Sequence, residues 1–213
     1  MNSAAEIRPT VFVVDADIHV RDSLCLLIES YGHQARAFAS AKEFYQFYQA
    51  EMPGCLILDA GLDSQSSLDL YSKLLAEGKR LPVIFVSHES NVATAVAALK
   101  LGAIEFLERP VQSRTWKQRI KEALALDKTW REQTERFRSL EQQFNLLTSR
   151  EKETLELVVQ GDTNKSMASK LFISERAIEM RRASIMNKFN VRSVAELLDR
   201  TVTYRLLAEQ RTQ

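Results

Sequence analysis

Three polar residues stand where short apolar runs stop. Asp15 follows TVFVV, Asp59 follows GCLIL and Ser87 follows LPVIFV. If the runs are strands of one parallel sheet, two carboxylates and a hydroxyl meet outside the carboxyl ends, where ligands of open α/β sheets sit. Asp and Ser at strand ends also cap following helices, and the pattern alone leaves both readings open. A second chemistry lies between Leu147 and Val191. There a helical stretch carries Arg176, Arg181, Arg182 and Lys188 against Glu175 and Glu179. Such a helix fits a DNA major groove, reaching phosphates and base edges.

The elements that must position these residues are legible in outline. Thr10–Asp15, Gly54–Ala60 and Leu81–Ser87 are continuous apolar runs, with His33–Ala39 and Ala103–Arg109 as weaker ones. Helical spacing intervenes at Ile18–Tyr31, Ala41–Glu51, Leu68–Glu77, Asn91–Leu101 and Ser113–Leu126. Five strand–helix repeats with continuously apolar strands predict a doubly wound, five-stranded parallel sheet of α/β class, covered on both faces. Lys117 to Leu146 holds neither Gly nor Pro. Its Leu126, Trp130, Phe137, Leu140 and Phe144, continued by Leu147, sit mostly three or four apart and predict a long amphipathic helix. That stripe serves equally as a coiled-coil seam or as packing for its own domains.

Beyond Leu147 the signals are those of an all-α unit. Thr148, Ser149 and Glu151 approach a capping box, Gly161 is a C-cap candidate, Asn164 or Ser166 starts a second helix, and Ser174 caps the basic one. Ile178, Ile185, Met186 and Phe189 form that helix's inner stripe, and Ser193–Leu207 reads as a fourth helix. The outward positions are Arg176, Glu179, Met180, Arg181, Ala183, Ser184 and Asn187. Lys165 and Ser166, at the start of the supporting helix, meet phosphate through a side chain and a free backbone N–H.

Composition narrows the function classes. The net charge of +1 over 213 residues gives no global drive toward nucleic acid, so DNA affinity must come from local clustering. No run approaches the roughly 18 apolar residues of a membrane span, and the polar start MNSAAEIRP is not a signal peptide. Cys25 and Cys55, each in an apolar stretch, read as buried thiols of a cytoplasmic protein. No Gly-rich loop follows the first strand, where DADIHVR stands, and His19, His33 and His88 are scattered. A flavodoxin-like enzyme or cofactor domain is thereby disfavoured.

Taken with their order and spacing, VVDADIHVR, CLILDA, PVIFVS and GAIEFLERP, then LTSREKETLELVVQG, NKSMASKL and RAIEMRRASIMNKF, resemble a NarL/FixJ-type response regulator. The resemblance implies a receiver domain over 9–126, a helical linker over 127–146 and a LuxR-type helix-turn-helix over 147–210. It implies that Asp59 is the phosphoacceptor, with Asp15 the first of the family's paired acids. The Gly61 carbonyl would complete a Mg2+ site with Asp15 and Asp59. Ser87 and Phe106 would be the switch pair, and Arg109-Pro110 the family's Lys-Pro, with a cis peptide. In the helix-turn-helix it places Glu179, Met180 and Ala183 at the groove floor. Glu179 would accept from a cytosine amino group, and Met180 and Ala183 would touch thymine methyls. Arg181 stands for a frequent histidine, facing phosphate or guanine. Implied partners are double-stranded DNA, RNA polymerase, a sensor histidine kinase and a second copy of the chain.

The departures carry an expectation of their own. The second acid is Ala16, with Asp17 one residue on, where a third acidic residue is common. Arg109 replaces lysine by a planar fork. Leu62-Asp63 and Ser67 replace a Met-Pro pair and a glycine. Losing even an outer partner of a metal costs about 10–100-fold in affinity. Mg2+-dependent phosphorylation of Asp59 is therefore expected to be weak or absent, the ordinary kinase-driven regulator being the alternative.

Overall fold

The computed structural model describes residues 8–62, 64–88 and 92–212, without the side chains of 64–66 and 210–212. Asp63 of the Leu62-Asp63 pair, Asn91 and the polar start up to residue 7 lie outside the described residues. The chain divides into two compact units, Met1–Trp130 and Arg131–Gln213. Among the described residues no helix is long and apolar enough to cross a membrane.

The first unit is the predicted five-stranded parallel sheet. Strands β1 (Thr10–Val14), β2 (Gln34–Phe38), β3 (Gly54–Asp59), β4 (Val83–Ser87) and β5 (Glu105–Glu108) lie in the order β2-β1-β3-β4-β5. The apolar runs are continuous because both sheet faces are covered. Alternation by two sends Val11, Val13, Cys55, Ile57, Ile84 and Val86 to one face, beneath Trp116, Ile120 and Ala123. It sends Phe12, Val14, Leu56, Leu58, Val83 and Phe85 to the other, against Phe44, Tyr48, Leu70 and Leu74. The covering helices are α1 (Ile18–Ser30), α2 (Ala41–Phe47), α3 (Ser64–Ala76), α4 (Val92–Lys100) and the start of α5 (Ser113–Asn145). Gly54 can only be glycine, since a Cβ there would lie 1.9 Å from the Thr10 carbonyl oxygen.

Helix α5 is one 33-residue helix, so nothing in its backbone marks the expected start of a linker at residue 127. Asp127 is buried against the sheet, and Trp130 receives Arg80 over its ring within the first unit.

The second unit holds α6 (Ser149–Val159), α7 (Asn164–Lys170), α8 (Glu175–Phe189) and α9 (Val194–Thr212). Thr148 and Glu151 form a full capping box, Thr163 caps α7 and Ser174 caps α8. Gly161 follows the end of α6 at φ +83°, a conformation L side chains rarely adopt. The core is built from Leu147, Leu155, Val158, Met167, Ile178, Ile185, Phe189 and Leu197. The apolar stripe of late α5 is spent inside this unit. Phe137 and Phe144 stack on Tyr204 at 5.3 and 4.1 Å between ring centroids, and Phe144 meets Phe189 edge-on. Of the two uses open for the stripe, packing on its own domain accounts for these residues.

Candidate functional site

Register brings the three strand-end residues together. Asp15 leaves β1, Asp59 ends β3 and Ser87 ends β4, and each is buried, at 2%, 7% and 7% exposure. Both oxygens of the Asp15 carboxylate have a partner. Its Oδ2 accepts from Arg109 Nη2 at 2.5 Å, and its Oδ1 accepts from the Asp17 N–H at 2.9 Å. The Arg109 and Asp15 side chains are 12% and 3% exposed, so this ion pair is largely shielded from water. The other terminal nitrogen of Arg109, Nη1, lies 2.7 Å from His88 Nε2. Arg21 closes the β1–α1 turn by donating Nη1 to the carbonyls of Asp15 and Ala16, at 2.7 and 2.8 Å. The Arg109-Pro110 peptide is cis, as expected.

Asp59 is in the opposite condition. Its Oδ1 is buried and has no hydrogen-bond partner among the described residues. Burial, then the neighbouring Asp15, push its carboxyl above the ordinary range, while the Gly61 N–H, Arg109 and His88 pull it down. A Cβ on Gly61 would stand 3.3 Å from Asp59 Oδ2, so the bare glycine lets the chain pass close over the carboxylate. Ser67, in the glycine's place, is fully buried and donates its hydroxyl to the Asp59 carbonyl at 2.7 Å, tying α3 to the end of β3. Phe106 is half-buried on β5 and stacks on Phe85 at 6.4 Å with 13° between ring planes. Asp17 is exposed and serves as the N-cap of α1, where its Oδ1 accepts from the His19 N–H at 2.8 Å.

On α8, Arg176, Glu179, Met180, Ala183 and Asn187 are exposed, Met180 at 69%. Arg181 and Ser184, expected to be exposed, are half-buried. Arg181 leans toward Thr154, 3.5 Å away, and Ser184 donates to Glu151 Oε1 at 2.7 Å. Lys188 donates to Glu151 Oε2 at 2.7 Å, and Arg182 donates to Asn164 Oδ1. Two of the helix's cations thus hold the domain together. At α7, Lys165 is exposed, but the Ser166 N–H is taken by the Thr163 hydroxyl at 3.2 Å and its own hydroxyl by Asp162 at 2.7 Å. The free N–H expected there is therefore already spent on the helix cap. Local spacing marks Glu151 only as a capping residue, and its larger role lies in tertiary contact. Its carboxylate, 6% exposed, joins the Thr148 cap to α8. Burial pushes its carboxyl up, but the bonds from Lys188, Ser184 and Thr148 outweigh it and hold the pKa at about 2.

Known proteins share both halves. The response regulator receiver domain matches residues 11–121, and the luxR family of bacterial regulatory proteins matches residues 145–201. The chain belongs to the NarL/FixJ-type response regulators. The response regulator protein TmoT of Ectopseudomonas mendocina is 35% identical over 92% of this chain and 88% of its own length. Nodulation protein W of Bradyrhizobium diazoefficiens is 31% identical over 100% and 93%. Among solved structures, the response regulator StyR is similar at a TM-score of 0.84 and 36% identity, covering 92% of this chain and all of that one. Full-length FixJ from B. japonicum gives 0.57 and 27%, over 93% and 98%.

Receivers of this family use Mg2+ for phosphorylation, so the donors of the acid pocket decide whether this response regulator can hold one. A divalent cation there needs free carboxylate oxygens. Each Asp15 oxygen already accepts one hydrogen bond, with Arg109 on Oδ2, Ala16 offers no donor, and Asp17 Oδ1 accepts from the α1 backbone. Among the described residues no three His, Cys, Asp or Glu side chains converge to hold a metal. Asp59 and the Gly61 carbonyl remain, a poor donor set for Mg2+.

Proposed function

We propose that this response regulator is a DNA-binding transcription regulator whose receiver works without obligatory phosphorylation of Asp59. The observation that carries the reading is the Arg109–Asp15 ion pair. It supplies from within the chain the positive charge that a metal would otherwise bring to the pocket, and the missing acid at Ala16 removes the site's competing pull. In this reading α8 enters the major groove, presenting Glu179, Met180, Ala183 and Asn187 to base edges. Arg176 and Lys165 meet phosphates, and Arg181 reaches phosphate or guanine from its half-buried seat. Few cations remain free on the helix, so monomer affinity is low and salt-dependent. A homodimer on two half-sites supplies the rest. The protein is then a cytoplasmic, non-enzymatic partner of double-stranded DNA and of RNA polymerase.

A small phosphodonor, such as acetyl phosphate, with Mg2+ varied over a wide range tests this. Intact mass measured against time is expected to show slow, unsaturated labelling of Asp59 at every Mg2+ level, with DNA affinity unmoved. Rapid, saturable labelling that tightens DNA binding would overturn it. Asp59 Oδ1, buried and without a partner among the described residues, favours one second reading, a regulator phosphorylated at Asp59 by a sensor histidine kinase, with Ser87 and Phe106 as its switch pair. The same assay separates the two.

A further inference from the structure

At the opposite end of the sheet from the acid pocket, the entries of β3 and β4 meet α5. The Leu56 N–H pairs with the Pro82 carbonyl at 2.8 Å, the first rung between β3 and β4. Two residues earlier, the Gly54 N–H points the same way along the strand but lies below that rung. Asp127 takes its place: its Oδ2 accepts from the Gly54 N–H at 2.9 Å, and the side chain is 2% exposed. Three residues along the same helix face, the Trp130 ring receives the Arg80 guanidinium at 4.0 Å, from the segment that leads into β4. Gly54 admits no other residue, because a Cβ there would meet the Thr10 carbonyl at the entry of the neighbouring β1.

These are the two strands whose exits carry Asp59 and Ser87. A strand is stiff along its axis, and β3 spans only about 17 Å from Gly54 to Asp59. We infer that Asp127 and Trp130 are positioning residues, which fasten α5 to the entries of β3 and β4 and pass the state of the acid pocket along those strands to the helix. The order of residues 131–145 then depends on the pocket through the rear of the sheet, besides any route through Ser87 and Phe106. The inference holds whether or not Asp59 is phosphorylated, because Arg109 and Asp15, which follow β5 and β1, meet the exits of β3 and β4: the Arg109 N–H donates to the Ser87 carbonyl at 2.9 Å, and the Asp15 carboxylate neighbours Asp59.

Hydrogen exchange on the full chain tests it, with Arg109→Ala as the pocket perturbation. Arg109→Ala is expected to change exchange of the amides in 131–145 by about threefold or more, the size expected for a local opening biased from a distance. In the Asp127→Ala background exchange of that segment is already faster by about tenfold, the loss of one buried charged acceptor, and Arg109→Ala adds nothing. Trp130→Leu leaves no buried donor unpaired, so it keeps the test valid should Asp127→Ala fail to fold, and it is expected to halve the response at least, by the same logic of a shared path. An unchanged 131–145 segment in Arg109→Ala overturns the inference. So does a full response that survives both substitutions, or equal acceleration in peptides of α2, which would mark global loosening.

Discussion

Two buried carboxylates in this chain sit beside cations and end in opposite states. Glu151 has both oxygens answered, Oε1 by Ser184 and Oε2 by Lys188 and Thr148, and its carboxyl falls to about 2. Asp59 keeps an Oδ1 unanswered among the described residues, and its carboxyl rises because burial and the neighbouring Asp15 outweigh the pull of the Gly61 N–H, Arg109 and His88. A satisfied buried network rigidifies, while a partly satisfied one keeps free energy available for a ligand or a reaction. The contrast assigns the first to holding α8 in place and the second to the site where the receiver can still change.

The largest effect should come from breaking the satisfied network. Glu151→Ala leaves Lys188 and Ser184 without their acceptor and removes the Thr148 cap partner. Losing one partner of a partly buried, hydrogen-bonded pair costs about 2–3 kcal/mol. In a unit of this size that lowers Tm by about 10–15 °C, read by calorimetry. The pH dependence carries the same signature. The folded pKa of Glu151 is depressed to about 2 from the ordinary 4.5. Its contribution is thus complete above pH 4.5 and lost as pH falls through 2. After allowance for solvent screening it amounts to about 1–2 kcal/mol. Urea midpoints of the second unit should fall across that window in the native chain and stay flatter in Glu151→Gln. A parallel fall in both would remove Glu151 from its role.

Next in size is the attempt to turn the receiver pocket into an ordinary one. Ala16→Asp restores a carboxylate beside Asp15 and gives Arg109 a second acceptor to share. Mg2+ affinity should rise by about 10–100-fold, the range that separates complete from incomplete metal shells. Labelling by a small phosphodonor should rise with it. Titration calorimetry with Mg2+ reads the first and intact mass the second. If Ala16→Asp changes neither, the missing acid is not what limits the site, and the Arg109–Asp15 pair alone bars the cation.

How these two regions read from sequence differs for a physical reason. The strands of the receiver were legible because continuous apolar runs have one economical fate, a sheet covered twice. The helix boundaries from Thr148 to Ser174 were legible because caps are local, decided within three or four residues. Pairings across the chain were not. Arg109 finds Asp15 across 94 positions and Lys188 finds Glu151 across 37, and no periodicity announces either. Ser184 and Arg181 looked outward on helical spacing, yet α6 packs close enough for Ser184 to reach Glu151 and Arg181 to lean on Thr154, while Arg176, Glu179, Met180, Ala183 and Asn187 stay exposed. The hold of Asp127 on the Gly54 N–H, across 73 positions, was hidden for the same reason.

The smallest effect tests the unsatisfied side of the comparison. With its folded carboxyl raised above the ordinary aspartate value, Asp59 opposes folding wherever it must be charged. That opposition is present above its folded pKa and vanishes as pH falls below the unfolded one. Asp59→Asn keeps the shape, keeps an oxygen for the Gly61 N–H and removes the buried charge facing Asp15. The first unit should therefore gain about 3 °C in Tm at neutral pH, a shift of the size that less than one kcal/mol produces. The gain should shrink to nothing below about pH 3, where the native carboxyl is protonated both folded and unfolded. A loss at neutral pH would mean that attraction to Arg109 and His88 outweighs burial and Asp15. Asp59 would then be held as firmly as Glu151, and the distinction between a structural carboxylate and one kept available for change would not hold.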